Sequence, residues 1–267
     1  MRDVDGGAIA WREAGEGPVV VFLHGLGGSR TAWDPQLEGL ADTYRCVAWD
    51  LPGYGASPPL DRPLTFPALA DAVAGLLDAL GVDRAPLVGL SLGGMVALHT
   101  ALAHPDRVAG LALLDTSARF GADGTDPDEW RAARRAPLDA GTTPGDMAVD
   151  VLTSVGGPAL VGEALDRAVA AMARIPPDGL RATVDLLPTH DVVDRLGEIT
   201  APTLVALGEH DEETPLAYSE TLVAGIPGAR LELIAGAGHL SNLEQPDAVT
   251  RLLAQFLPTT SSPAGAR

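Results

Sequence analysis

Gly89-Leu90-Ser91-Leu92-Gly93-Gly94 decides the reading of this chain. The apolar run before it, residues 85–89, reads as a buried strand, and residues 92–104 after it read as a helix. A G-x-S-x-G pattern set between strand and helix carries physical meaning that the bare pattern lacks. The chain must turn sharply, which forces the middle residue into a strained backbone conformation. Glycines two before and two after the serine leave room for strand and helix to approach. The turn pushes the Ser91 hydroxyl out at the carboxyl end of a sheet, over a helix N-terminus that favours negative charge. Ser91 is therefore a candidate nucleophile; the plainer alternative is a capping serine in a Gly/Ser turn.

Outward from this turn, short apolar runs alternate with longer amphipathic stretches. Residues 18–23, 45–49, 108–114, 203–207 and 230–234 read as strands, and 66–80, 215–224 and 246–256 as helices. The alternation predicts an α/β fold with a mostly parallel sheet flanked by helices. Residues 8–13 read as an antiparallel edge strand. From Ser117 to Thr189 no strand-like run occurs; Ala-rich helical stretches at 129–136, 144–153, 162–174 and 178–187 are broken by Gly and Pro. So long a helical segment between two strands of one sheet is no ordinary crossover. The expected organisation is a core of residues 1–116 and 190–258, a helical lid of residues 117–189 inserted in it, and a disordered tail at 259–267.

A hydroxyl needs a base to become a nucleophile. Six histidines are available, and His239 stands out: Gly236-Ala237-Gly238-His239 follows the last predicted strand, at the same sheet edge as Ser91. His99 and His104, in or just after the helix that follows Ser91, read as structural. An orienting carboxylate is expected after the preceding strand, in Gly208-Glu209-His210-Asp211-Glu212-Glu213, with Asp211 best placed and Asp115 in reserve. The chain order Ser91, Asp211, His239 is a hydrolase order, distinct from the two other serine-protease orders. Acyl transfer also needs donors for a developing oxyanion. The expected pair is the backbone N–H of Leu92, next to the serine, and that of Leu26 in His24-Gly25-Leu26-Gly27-Gly28, with His24 bracing the loop.

Composition narrows the partners. The 267 residues carry a net charge of −18, and all 18 basic residues are arginine. Such a field repels nucleic acid and anionic membrane, and the absence of lysine removes Schiff-base chemistry and a P-loop. No apolar stretch is long enough for a membrane span, and the N-terminus has no secretory h-region. The single cysteine, Cys46, excludes an internal disulfide and reads as a buried strand residue; a cytoplasmic protein is the expectation. Gly25-Leu26-Gly27-Gly28-Ser29-Arg30 gives a weak dinucleotide-binding signal, but Arg30 occupies the place of the third glycine.

Taken together, His24-Gly25-Leu26-Gly27, Asp50-Leu51-Pro52-Gly53-Tyr54-Gly55-Ala56-Ser57, the Ser91 turn, Gly208-Glu209-His210-Asp211 and Gly238-His239 resemble the α/β-hydrolase fold superfamily almost end to end. Within it, Ser91-Leu92-Gly93-Gly94-Met95-Val96, Leu187-Pro188-Thr189-His190-Asp191-Val192 and Gly238-His239-Leu240-Ser241-Asn242-Leu243-Glu244-Gln245-Pro246 are most similar to the 3-oxoadipate enol-lactonase and small carboxylesterase group. The resemblance implies a serine hydrolase of a small ester or lactone, with no metal or organic cofactor. C–C bond hydrolases, cofactor-free perhydrolases and non-catalytic binding modules share the fold and stay open as alternatives. A carboxylated lactone would need a local cation in so acidic a protein. The dense basic cluster Arg131, Arg134 and Arg135, beside Trp130 in the lid, is the candidate substrate-binding group.

Overall fold

The computed structural model describes residues 1–257; the tail expected to be disordered, 259–267, lies outside them. Eight strands form one sheet: β1 (Arg2–Val4), β2 (Trp11–Ala14), β3 (Val19–Leu23), β4 (Arg45–Trp49), β5 (Ala85–Leu90), β6 (Val108–Leu114), β7 (Thr203–Gly208) and β8 (Arg230–Ile234). Their order is β1-β2-β4-β3-β5-β6-β7-β8. β1 and β2 are antiparallel at one edge and the rest run parallel. The edge strand expected at 8–13 begins later, at Trp11, and pairs with both β4 and the outermost β1.

The central strands are buried on both faces, which is why β3 reads Val-Val-Val-Phe-Leu without polar alternation. Val19, Val21 and Leu23 join one core layer and Val20 and Phe22 the other. Helices α1 (Asp34–Leu40), α2 (Phe66–Leu80) and α3 (Leu92–Ala103) follow β3, β4 and β5. α2 and α3 pack on the first layer, while Leu37 and Leu40 of α1 serve the second. α2 starts where the Thr65 side chain accepts the Ala68 N–H and stops at left-handed Gly81. The sequence reading missed β1 and α1, both too short to show a period.

Between β6 and β7 the chain makes α4 (Pro127–Asp139), α5 (Pro144–Val155), α6 (Glu163–Met172) and α7 (Pro177–Leu186). Two of the four starts carry a capping side chain. Asp126 caps α4 by accepting the N–H groups of Asp128 and Glu129, and Thr143 with Asp146 makes a reciprocal capping box on α5. After β7 come α8 (Leu216–Gly225), then β8, α9 (Ser241–Glu244) and α10 (Pro246–Phe256); α10 packs with α1 on the second face. Among the described residues no helix is long and apolar enough to cross a membrane.

Candidate active site

Ser91 sits at φ 54°, ψ −120°, between the last residue of β5 and the first of α3. It and Asp115 (φ 47°) are the non-glycine residues with left-handed φ among those described. The surrounding glycines are sterically required. A Cβ on Gly93 would lie 2.0 Å from the Leu23 carbonyl oxygen, and one on Gly89 would lie 2.4 Å from that of Gly93. Strand and helix backbones therefore touch, and the tightness of the turn is what aims the Ser91 side chain away from them.

The loop after β8 brings His239 to this hydroxyl. His239 Nε2 lies 3.0 Å from Ser91 Oγ, and Nδ1 lies 3.0 and 3.1 Å from the two oxygens of Asp211. Asp211 also accepts the N–H groups of Glu213 and Thr214, both at 2.9 Å, and the Thr214 hydroxyl at 2.6 Å. Burial works against its ionisation, but the charge and hydrogen bond of His239 and the Thr214 donors outweigh it, so its pKa is lowered. For His239 burial favours the neutral form; the charge and hydrogen bond of Asp211 prevail, with Asp115 and Glu213 in the same sense, and the imidazole is raised to about 9. With Asp211 ionised, Nδ1 donates its proton there and Nε2 is left to accept from Ser91. Asp115 is fully buried at the end of β6 and accepts from Gly208 N–H and the Ser241 hydroxyl. No His239 nitrogen lies within 4.0 Å of it.

The His24-to-Gly28 loop lies against the turn: a Cβ on Gly25 would stand 3.3 Å from Ser91 Cβ. His24 Nδ1 donates to the Gly25 carbonyl at 2.8 Å and Nε2 accepts the Leu51 N–H at 3.1 Å, so this histidine braces the loop. The N–H groups of Leu26 and Leu92 have no protein acceptor among the described residues. Tyr54, in the segment after β4, donates to the Leu26 carbonyl at 2.8 Å and pairs with the Thr183 hydroxyl of α7 at 2.6 Å. The sequence showed Tyr54 only as a member of a motif. Arg30, in the place of a third glycine, is buried, and its backbone N–H donates to Asp50 at 2.9 Å.

A cavity of about 550 Å³ opens in front of Ser91, His239 and Leu26 and is lined on its other side by the helical insertion. Its lining includes Met95, Phe120, Met147, Leu152, Met172, Leu180 and Val184, so it is largely apolar. From α4 it takes Trp130, Ala133, Arg134 and Pro137. Arg134 stacks on Trp130, its guanidinium carbon 4.1 Å from the ring centroid, and Trp130 meets Phe120 edge-on at 5.2 Å. The structure does not bring Arg131 and Arg135 to this cavity. Arg135 pairs with Asp185 at 2.6 Å and Arg131 with Asp128 at 2.6 Å, both on the far side of α4. Arg134 has no carboxylate within 4.0 Å among the described residues, although Glu212, Glu213 and Asp123 also border the cavity. Burial lowers its pKa, against the pull of Glu213. Among the described residues no group of three or more His, Cys, Asp or Glu could hold a metal ion.

Cys46, His99, His104 and His190 lie outside the lining of this cavity. Cys46 is buried in β4, which pushes its thiol up to about 12. His104 pairs with Asp71 at 2.9 Å. His99 Nε2 lies 3.2 Å from His190 Nδ1, and His190 Nε2 donates to the Ser117 carbonyl at 2.9 Å.

Residues 18–246 match the model of the alpha/beta hydrolase fold family, so the chain belongs to that family. It is 36% identical over 259 residues to a pimeloyl-[acyl-carrier protein] methyl ester esterase of Chromobacterium violaceum, covering 92% of this chain and 96% of that protein. It is 32% identical over 273 residues to a 2-hydroxy-6-oxo-6-phenylhexa-2,4-dienoate hydrolase of Comamonas testosteroni, covering 96% and 94%. The crystal structure of the enol-lactonase from Burkholderia xenovorans superposes with a TM-score of 0.85 at 27% identity, covering 96% of this chain and 99% of that one. The protein is a hydrolase of this fold.

Proposed function

We propose that the protein is a serine hydrolase that opens a small ester or lactone through an acyl-enzyme. The observation that carries the reading is the continuous contact from Asp211 through His239 to Ser91, at 3.0 Å on each side of the imidazole. Ser91 Oγ attacks the carbonyl carbon while His239 Nε2 takes its proton. Asp211 fixes the tautomer and stabilises the imidazolium. The free N–H groups of Leu26 and Leu92 hold the oxyanion. His239 then returns the proton to the leaving oxygen, and water, activated by the same nitrogen, releases the acid. The insertion of residues 117–189 serves as the lid, and its apolar wall sets acyl-chain preference.

Arg134 supports a substrate with a carboxylate. Among the described residues it is the unpaired cation that lines the cavity, stacked on Trp130 in a protein with twice as many carboxylates as arginines. By resemblance, an enol-lactone of 3-oxoadipate is the specific form of this reading. The test is a hydrolysis panel of neutral p-nitrophenyl esters, neutral lactones and carboxylated lactones, run with wild type and Arg134→Gln. Carboxylated lactones should lead, and the variant should lose that preference, by about tenfold or more, the usual strength of a charge-assisted contact. Neutral esters leading in both proteins would leave a general carboxylesterase. A second reading, C–C bond hydrolysis, is favoured by the Comamonas relative and uses the same three residues. Turnover of a vinylogous 1,5-diketone above every ester in the panel would select it.

A further inference from the structure

Glu244 is buried, yet no arginine or histidine nitrogen lies within 4.0 Å of its carboxylate among the described residues. Three backbone N–H groups satisfy it instead. Oε2 accepts from Gly238 at 3.0 Å; Oε1 accepts from Leu240 at 3.2 Å and from Gly157 at 3.1 Å. Gly238 and Leu240 are the two neighbours of His239. Gly157 belongs to the turn between α5 and α6, 87 residues away in sequence. The carboxylate thus joins the lid to the residues on either side of the base.

Steric contact reinforces this junction. A Cβ on Gly157 would come 2.4 Å from the Gly238 nitrogen, and one on Gly238 would come 2.2 Å from the Gly157 nitrogen. The two backbones cross in van der Waals contact, which only glycine at both positions allows. α5 and α6 carry Met147, Leu152 and Met172 of the cavity wall, so the turn that Glu244 grips belongs to the elements that surround the substrate. A buried carboxylate without a counter-ion is costly unless its donors are all in place. Lifting the turn would remove one donor and reopen the bonds to the other two.

We propose that Glu244 is a positioning residue that clasps the α5–α6 turn to the His239 loop, so that His239 is aligned with Ser91 only while the lid is seated. The inference rests on the roles given above to Ser91 and His239. Glu244 touches no reacting atom; it acts through the backbone N–H groups of Gly238 and Leu240, the neighbours of the base.

The experiment is a double-mutant cycle of Glu244→Gln and Gly157→Ala, with Ser91→Ala as reference and a p-nitrophenyl ester as substrate. Glu244→Gln turns an N–H donor onto one of the three donors, and Gly157→Ala drives a Cβ to 2.4 Å from the Gly238 nitrogen and 2.6 Å from Glu244 Oε2, forcing the turn off the same junction. Each should lower kcat by about ten- to a hundredfold, the cost of a small misplacement at a reacting centre, with KM within about threefold. The acidic limb of kcat/KM against pH should move toward the ordinary imidazole value as His239 loosens from Asp211. The double variant should be no slower than the slower single, since both break one junction. Hydrogen exchange should quicken together at the Gly157, Gly238 and Leu240 amides in Glu244→Gln. Wild-type kcat and an unmoved pH limb in Glu244→Gln, with only the melting temperature lowered, would reduce Glu244 to a structural residue. Multiplying effects in the double variant would separate lid from base and overturn the coupling. Undiminished turnover in Ser91→Ala would instead remove the serine-hydrolase reading itself.

Discussion

Asp115 Oδ1 accepts the backbone N–H of Gly208 at 2.8 Å, tying the carboxyl end of β6 to that of β7 directly behind the reacting groups. Two acids therefore stand at adjacent strand ends, and their surroundings divide the work. Asp211 faces His239 and is held ionised. Burial, and then the charge of Asp211, push Asp115 up to about 7. Asp211→Asn should lower kcat by about 10⁴-fold, because the wrong imidazole tautomer is favoured, whereas Asp115→Asn should stay within about tenfold. Steady-state kinetics with circular dichroism as a folding control make the comparison; reversed effects would move the acid to β6.

In the proposed mechanism His239 can act as a base only when neutral. Its proton is stabilised by Asp211, so protonation persists above the ordinary value of 6.5. kcat/KM should therefore rise with pH along a limb whose midpoint lies above 6.5, and Asp211→Asn should shift that limb to lower pH. A wild-type midpoint below 6.5 would contradict the charge pairing.

The His99–His190 pair makes a separate prediction about stability. Burial holds His99 near 3, His190 and Arg195 adding in the same sense, and burial holds His190 near 4, against the Ser117 bond and Asp191. Both stay neutral in the folded protein and charge when it unfolds. Their contribution is present above the unfolded value of 6.5 and is lost as pH falls from there toward the folded values. Each can cost up to about 1.4 kcal/mol per pH unit in that window. Urea unfolding across this range should show a shallower acid slope in His99→Phe than in wild type; an identical slope would mean the pair titrates alike in both states.

Two glycines should respond in opposite directions to alanine. At Gly93 the new Cβ meets the Leu23 carbonyl at 2.0 Å, so Gly93→Ala should destabilise by about 3 kcal/mol or more and spoil the turn. Exposed Gly75 in α2 has nothing within 4 Å of that position, and Gly75→Ala should stabilise by roughly 0.5–1 kcal/mol through helix propensity. Chemical denaturation of the two variants tests both signs at once.

Much of this was legible in the chain because the demands are local. The glycines around Ser91 announce a turn that only small residues permit, and β3 to β8 carry apolar runs long enough to read. Asp211 and His239 could be singled out as candidates because each follows a strand at the same sheet edge. Glu244 and Tyr54 could not: they act on backbone groups of distant segments, which leaves no period or composition behind. The arginine cluster is an intermediate case. Trp130, Ala133, Arg134 and Pro137 follow the i, i+3, i+4, i+7 spacing of one helix face, while Arg131 and Arg135 share another, turned toward Asp185. That spacing separates Arg134 from its neighbours, but which face meets the cavity is set by the packing of α4 against α7.

The central claim, that Ser91 is the nucleophile, is tested most directly by the turnover of a short p-nitrophenyl ester in Ser91→Ala. The account predicts a loss of about a thousandfold or more in kcat with the fold intact, as removal of a triad member produces elsewhere. Turnover within about tenfold of wild type would contradict it.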